Sequence, residues 1–315
     1  MPLRKIRRSS GPTFGDQLAA FGSACAGADL SPRTVSGYRH DLEAFGHWFE
    51  SSRGPEHDIT TLTAVDLIAY RQHLVTVERR KPATVNRRVQ ALRRFCRWGF
   101  EQGLFASDPG REIRSLRVAA KRQPLGLTDS EAHALLRAAG LCGHGLAKRN
   151  LALVHLMIQA GLRVSEATSL VVADLTLNER SGSVRVREGK GGKERSVPLN
   201  ATARRALRTY LESRGALAPA ERVFASKHAA PASVRTIQAL VSELARRAGI
   251  TRLRVSPHTL RHTFAIGYLR QNPGKLVELA TLLGHESLDT TAIYTQPSAD
   301  ELADDLERGR LNVDR

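Results

Sequence analysis

The sequence predicts a two-domain, mainly α-helical protein with one small β-sheet in its C-terminal domain. Three observations predict it. A chain of 315 residues exceeds the comfortable size of one hydrophobic core, so two domains are the default. Apolar residues recur at three- and four-residue intervals through 13–105 and again from 128 onward, which is the helical period. Period-two alternation occurs once, in Val184 and Val186 and then Val197 and Leu199, either side of the turn Gly189-Lys190-Gly191-Gly192, and reads as a hairpin.

The N-terminal domain, 11–115, is expected to be helical throughout. Ser31 before Pro32 supplies an N-cap and a first-turn proline for a helix striped by Val35, Tyr38, Leu42, Phe45 and Phe49. Thr63 starts a second helix with Leu67, Tyr70 and Leu74 on its inner face. Lys81 and Pro82 precede a third, whose stripe is Val85, Val89, Leu92 and Phe95 or Cys96. Its other faces carry Arg87, Arg88, Arg93, Arg94 and Arg97. One buried face ringed by five arginines suits a helix lying along a DNA groove or backbone, whereas a merely solvated face would explain any one of them alone.

Pro109 and Gly110 end this helical region, and the basic stretch up to Pro124 lacks sustained periodicity, which places a linker at 116–124. The second domain, 125–315, opens on Thr128 with Glu131, a capping-box signature before Ala132, Leu135 and Leu136. An apolar helix follows over 147–160. Past the hairpin, helices are expected at 200–213, 233–248, 257–270, 274–283, 287–295 and 299–309. The last carries only Leu302, Leu306 and Leu311 on a charged background.

Lys and Arg number 48 against 31 Asp and Glu, a net charge of +17 carried by both halves of the chain rather than by a tail. Such a balance suits a polyanion, and DNA affinity should then fall with salt at a slope of about −0.9 per phosphate contacted. Cys25, Cys96 and Cys142 are odd in number and far apart, with no disulfide framework and no Cys-x-x-Cys pair, which fits a reducing cytosol. The basic start MPLRKIRRSSGP is followed by no apolar core of a signal peptide, and the longest apolar stretch, around 151–162, is short and contains His155 and Gln159. Secretion and membrane spanning are not expected, and a cytoplasmic, nucleoid-associated location is.

Chemistry concentrates in three segments: GLRVSEATSL at 161–170, REGKGGKERSVPL at 187–199 and SPHTLRHTFAIGYLRQNPGKLVELATLLGHESLDTTAIYTQ at 256–296. Arg-x-x-Glu and His-x-x-Arg are each common in helices, but their ordered conjunction with the glycine-rich turn is specific. With a helical, basic N-terminal region before them, they resemble the tyrosine recombinase (phage-integrase) family, and within it the Xer-like branch.

Cleaving a phosphodiester without a metal requires a nucleophile, positive charge around the nonbridging oxygens and a proton for the leaving 5′ oxygen. Tyr294 is the candidate nucleophile, because a phenol with an unperturbed pKa near 10 gives a phosphotyrosine that can later be displaced without ATP. Tyr38, Tyr70, Tyr210 and Tyr268 read instead as core aromatics. Arg163 and Arg261 suit a phosphate clamp, since guanidinium donors match nonbridging oxygens bidentately. Glu166 either orients Arg163 or forms an ordinary i,i+3 pair with it. His258 and Arg261, three apart on one helix, share a face, and Gly284 should end the preceding helix and present His285 at a loop edge. His258 and His285 between them deprotonate Tyr294 and hydrogen-bond the phosphate, in a division that spacing does not decide. His258 and His262 stand four apart, as in zinc proteases, but Thr259 sits where that motif needs its glutamate. No metal or cofactor is expected, and His262 reads as a packing residue or one that supports a site residue from behind.

The resemblance implies more than the residues alone carry. It favours Lys190 over Lys193 and Arg195 as the general acid, with those two left as DNA contacts. It implies a helical SAM-like core-binding domain and a mixed α/β catalytic domain closing as a clamp on duplex DNA at an inverted-repeat core site. Four copies would hold two such sites, as a homotetramer or as a heterotetramer with a paralogue, with or without an accessory protein. Strands would exchange in two rounds through a 3′-phosphotyrosine and a Holliday junction, and the tail would dock on a neighbouring copy or fold back on its own domain. About a dozen residues precede the first helix, too few for a further arm-binding domain, which favours a simple Xer-like or transposon-resolution enzyme over an arm-type integrase and leaves dimer resolution, cointegrate resolution and mobile-element integration or excision all open. A type IB topoisomerase or telomere resolvase shares the chemistry, and a non-cleaving DNA-binding protein could share the fold.

Overall fold

The computed structural model describes residues 13–28, 30–54, 58–118, 124–143, 145–187, 194–226, 230–285, 287–295 and 306–307. The chain divides into two compact units, Met1–Ala120 and Lys121–Arg315.

The first unit is built from α1 (Phe14–Gly27), α2 (Pro32–Arg53), α3 (Ala64–Thr76) and α4 (Pro82–Glu101). Short polar side chains set the helix starts. Thr13 with Asp16 and Thr63 with Asp66 form reciprocal capping boxes, and Ser31 caps α2 ahead of Pro32. Lys81 makes no side-chain cap, so Pro82 alone marks the start of α4. The inner faces meet in an aromatic core of Phe21, Phe45, Tyr70 and Phe95, with Phe21 and Phe95 edge to face at 5.5 Å and Phe45 and Tyr70 at 5.0 Å.

The arginines of α4 divide into separate roles. Arg88 is a correction to the expectation of DNA contact: it is buried, and its guanidinium donates to the Tyr70 hydroxyl at 3.0 Å and to Glu78 at 3.5 Å, beside Asp41. It serves the core that α2, α3 and α4 share. Arg87 is exposed but pairs with Asp41, and Arg93 donates to the Ile113 carbonyl, fastening the segment after α4. Arg94 and Arg97 are exposed, Arg97 bonding Glu101 at 3.1 Å. Arg93, Arg94 and Arg97 line one open cleft with Gln90, Trp98 and Arg111.

The second unit contains α5 (Asp129–Gly140), α6 (Ala147–Ala160), α7 (Val164–Ser169), β1 (Leu175–Leu177), β2 (Gly182–Val186), β3 (Arg195–Pro198), α8 (Ala201–Glu212), α9 (Val234–Arg247), α10 (Pro257–Gln271), α11 (Leu276–Leu283) and α12 (Asp289–Ala292). The apolar helix α6 is central and packs against α5, α8 and α10. The expected hairpin is present, with Val184 opposite Val197 and Val186 opposite Arg195, and it buries Val184, Val186 and Val197. Its turn, 188–193, lies outside the described residues, and Lys190 and Lys193 with it. The sheet has a third strand that the sequence did not announce. β1 pairs antiparallel on the other edge of β2, Leu175 opposite Val184, and three residues are too few to show alternation. The helix expected over 287–295 is shorter, Asp289–Ala292, and leaves Tyr294 just beyond its end. Most of the expected 299–309 helix falls outside the described residues. Among the described residues no helix is long and apolar enough to cross a membrane.

Two left-handed glycines close the helices that bear on the site. Gly161 caps α6 at φ 61° and Gly284 caps α11 at φ 63°. A Cβ at Gly161 would stand 2.3 Å from the Phe264 ring and 3.0 Å from Leu283. Gly161→Ala should therefore lower stability by about 2–5 kcal/mol, from left-handed strain and overpacking together, read as a fall in the urea midpoint. An unchanged midpoint would contradict this account of the α6 end.

Candidate active site

Arg261 is the centre of the site. It lies in the first turns of α10, a helix started by Ser256, Pro257 and a reciprocal Ser256–Thr259 cap, and its side chain is almost fully buried. One guanidinium nitrogen donates to the Gly161 carbonyl at 2.6 Å, and the other donates to the Leu283 carbonyl at 2.7 Å and lies 3.0 Å from His285 Nε2. The last carbonyls of α6 and α11 thus both face this cation, as helix C-termini favour. Burial first, and then the neighbouring Arg163, push its pKa down to about 10, so it remains charged at neutral pH.

Arg163 stands at the N-cap of α7, immediately past the Gly161 turn. Its Nη1 donates to Glu166 at 2.8 Å and its Nη2 to the Gly284 carbonyl at 3.0 Å. Glu166 is the hub of this arrangement. It is buried, and it accepts from the Arg163 backbone N–H and side chain and from both terminal nitrogens of Arg195, at 2.9 and 2.8 Å. Burial alone would raise its pKa, but the bonds and charge from Arg195, and then those from Arg163, outweigh it and hold the carboxyl below its ordinary value. Arg195 also donates from Nε to the Leu282 carbonyl at 2.9 Å. Expected as a DNA contact, it is instead a largely buried strut that ties β3 to α7 and to the end of α11.

His285 follows Gly284 at the loop edge, as the sequence predicts. A guanidinium can only donate, so His285 Nε2 accepts from Arg261, and the ring proton sits on Nδ1, which donates to the buried Thr291 hydroxyl at 2.8 Å. Burial, and then Arg261, Arg163 and Arg195, lower its pKa to about 4, and the ring is neutral at physiological pH.

Tyr294 is buried against Ala265, Leu279 and Leu283. Its hydroxyl lies 2.7 Å from Nδ1 of His262, a residue whose spacing fits packing or support of a site residue but does not show this contact. His258, one turn earlier on α10, is exposed, its ring centroid 6.4 Å from that of His262, and it makes no hydrogen bond among the described residues. Spacing puts His258 and His262 on the same face of α10 and cannot choose between them. The placement of the segment after α12 does. Burial raises the Tyr294 pKa, with Arg261 pulling in the opposite direction, so the phenol is protonated in the free protein.

Of the expected site residues, Arg163, Arg261 and His285 converge on the ends of α6 and α11, with Tyr294 in the electrostatic field of Arg261. A buried Arg261 and a partly exposed Arg163 braced by Glu166, beside a hydrogen-bonded tyrosine, are built to hold an anion next to an oxygen nucleophile.

The chain belongs to the phage integrase family and is a tyrosine recombinase, a DNA-breaking and rejoining enzyme: residues 126–301 match the phage integrase family and residues 27–103 the phage integrase N-terminal SAM-like domain. It is 35% identical over 294 residues to the tyrosine recombinase XerD of Caulobacter vibrioides, covering 90% of this chain and 94% of that one. It is also 35% identical over 277 residues to the tyrosine recombinase XerC of Xanthomonas campestris pv. campestris strain B100, covering 87% and 81%. In fold it resembles the XerH site-specific recombinase in a post-cleavage complex with a palindromic difH substrate, with a TM-score of 0.74, 21% identity, and coverage of 92% of this chain and 84% of that one.

Proposed function

We propose that the chain cuts and rejoins DNA at an inverted-repeat core site, with Tyr294 as the nucleophile. The Tyr294 oxygen attacks the scissile phosphorus and the 5′ oxygen departs, leaving a 3′-phosphotyrosine. Arg163 and Arg261 bind the nonbridging oxygens, His258 adds a donor to the phosphate, His285 stands beside it as the acceptor that holds Arg261 in place, and Lys190, between β2 and β3, protonates the leaving oxygen. The observation that carries this reading is the convergence of Arg261, held by the Gly161 and Leu283 carbonyls, and Arg163, held by Glu166 and the Gly284 carbonyl, at the ends of α6 and α11, with Tyr294 in the field of Arg261. Its two guanidiniums supply charge neutralisation from the protein itself.

The domain partition that goes with this function is 11–115 for core binding, 116–124 as linker and 125–315 for catalysis. Arg94 and Arg97, exposed on α4, are the strongest candidates there for phosphate contacts, with Arg87 and Arg93 partly committed to Asp41 and Ile113. Two sites held by four copies, alone or with a paralogue or accessory protein, would exchange strands through a Holliday junction. The biological setting would be chromosome dimer or cointegrate resolution or a mobile element, on the cytoplasmic nucleoid.

Purified protein incubated in EDTA with nicked suicide duplexes, drawn from the inverted repeats beside its own coding sequence, should give a protein–DNA band that survives denaturant. Specific binding without such a band on any duplex would instead indicate a DNA-binding protein that does not cut. Relaxed plasmid or hairpin ends without exchanged partners would indicate a topoisomerase or telomere resolvase.

A further inference from the structure

We infer that His262 is a further catalytic residue: the group that takes the proton from Tyr294 as its oxygen attacks phosphorus, and returns it when the strand is rejoined. The inference rests on the recombinase reading above and moves to His262 the proton transfer that the sequence divided between His258 and His285.

Geometry selects His262 among the three histidines. Its Nδ1 is 2.7 Å from the Tyr294 hydroxyl, within the range for transfer along an existing hydrogen bond. Both ring nitrogens of His285 are engaged, Nε2 with Arg261 and Nδ1 with Thr291, so it has no lone pair to offer a phenol. His258 is exposed, and it is the ring of His262, not that of His258, that packs on the Tyr294 ring, at 5.6 Å between centroids.

The direction of the hydrogen bond follows from acidity. A phenol is a far better proton donor than a neutral imidazole N–H, and an imidazole lone pair is a far better acceptor than a phenol oxygen, so Tyr294 donates and Nδ1 accepts. The charged or titratable groups acting on the ring are His258 and Arg261 on its own helix and Tyr294 from beyond α12. Burial first, then His258 and Arg261, push the His262 pKa down to about 4, which keeps the lone pair free at neutral pH. The same low basicity means that the proton moves late. A lone pair on the Tyr294 oxygen begins to form the bond to phosphorus, the oxygen becomes strongly acidic, and the O–H pair stays with oxygen while the proton passes to Nδ1. The P–O5′ pair leaves with the 5′ oxygen, which takes a proton from the general acid. The scissile phosphate itself offsets the charge of Arg261, which helps depress His262, so substrate binding raises the basicity of the ring when it is needed. In the return reaction the 5′ hydroxyl gives its proton back to the deprotonated general acid as its oxygen attacks phosphorus, the P–O bond to Tyr294 breaks with its pair on the phenol oxygen, and the imidazolium protonates the departing phenolate.

His262→Asn separates this role from simple positioning, because an amide oxygen near the Nδ1 position can accept the phenol hydrogen bond but cannot carry the proton. On the suicide duplexes, His262→Asn should keep DNA affinity and thermal unfolding close to the unmodified protein while slowing adduct formation by about 10²–10⁴-fold. Its rate should also climb about tenfold per pH unit on the alkaline side, as phenolate formed by solvent replaces the missing base, where the unmodified enzyme is flat. Equal rates with the same pH profile would overturn the inference. Should His262→Asn not fold, ¹⁵N spectra of the histidines in the unmodified protein decide: an unprotonated Nδ1 on His262 supports the assignment, and a protonated Nδ1 overturns it. If the unmodified protein makes no adduct at all, the recombinase reading falls and this inference with it. Adduct formed equally well by His262→Asn removes the inference alone.

Discussion

Tyr294→Phe should abolish the denaturant-resistant adduct while leaving DNA binding and its salt dependence unchanged. The substitution removes one oxygen. In the ground state that oxygen supports a hydrogen bond to His262, the kind of contact whose loss costs about 0.5–1.5 kcal/mol. The ring would keep its packing on Ala265, Leu279 and Leu283, so the fold should survive. In the reaction the same oxygen forms the covalent bond, and the hydroxyls of Tyr70 and Tyr210 are committed elsewhere. Tyr70 is fully buried with its hydroxyl accepting from Arg88, and Tyr210 is stacked on Phe224 with its hydroxyl accepting from the Ala225 N–H. The measurement is a denaturing gel of the suicide reaction beside a binding titration at two salt concentrations. An adduct of normal intensity from Tyr294→Phe would move the nucleophile elsewhere and remove the present assignment. Weakened binding with a changed salt slope would mean that the hydroxyl acts on DNA rather than on phosphorus.

What the sequence made legible was local. Ser31 with Pro32, Thr63, and Thr128 with Glu131 announce helix starts because a cap depends on residues three apart. Gly284 before His285 announces a helix end for the same reason. What it hid depends on partners distant in the chain. Five arginines on α4 look alike until Asp41 from α2 and Tyr70 from α3 draw Arg88 into the core. Arg195 sits in a basic turn motif that suggests a DNA contact, and only the meeting of β3 with α7 shows that both of its terminal nitrogens belong to Glu166. β1 exists because β2 has a second edge to pair, not because Leu175–Leu177 carries a strand signal of its own. His262 follows the same rule. The spacing of α10 offers two histidines on one face, and the approach of Tyr294 from the end of α12 picks the second.

Arg261→Ala should slow cleavage by a few orders of magnitude, about 3–5 kcal/mol of transition-state stabilisation, and should also lower stability, whereas Arg163→Ala should lose comparable rate with less effect on the fold. The contrast follows from where each guanidinium is anchored. Arg261 is almost fully buried, and its removal leaves the Gly161 and Leu283 carbonyls without a donor and opens a polar gap between α6 and α11, a loss of about 1–3 kcal/mol for each group left unpaired inside. The side chain of Arg163 is 26% exposed, and Glu166 keeps both bonds from Arg195 when the Arg163 guanidinium is removed. Lysine at 261 should not restore the rate. One ammonium on a flexible stem cannot serve two carbonyls and the phosphate in the planar fork that the guanidinium provides. Single-turnover cleavage and urea unfolding of the three variants separate these contributions. If Arg261→Ala unfolds no more readily than the unmodified protein, the buried bonds to Gly161 and Leu283 do not hold the ends of α6 and α11 together. If instead it cleaves at the unmodified rate, the phosphate is held elsewhere and Arg261 is purely structural. With both losses observed, one side chain fixes the geometry of the pocket and completes its charge, so the enzyme cannot relax one function without weakening the other.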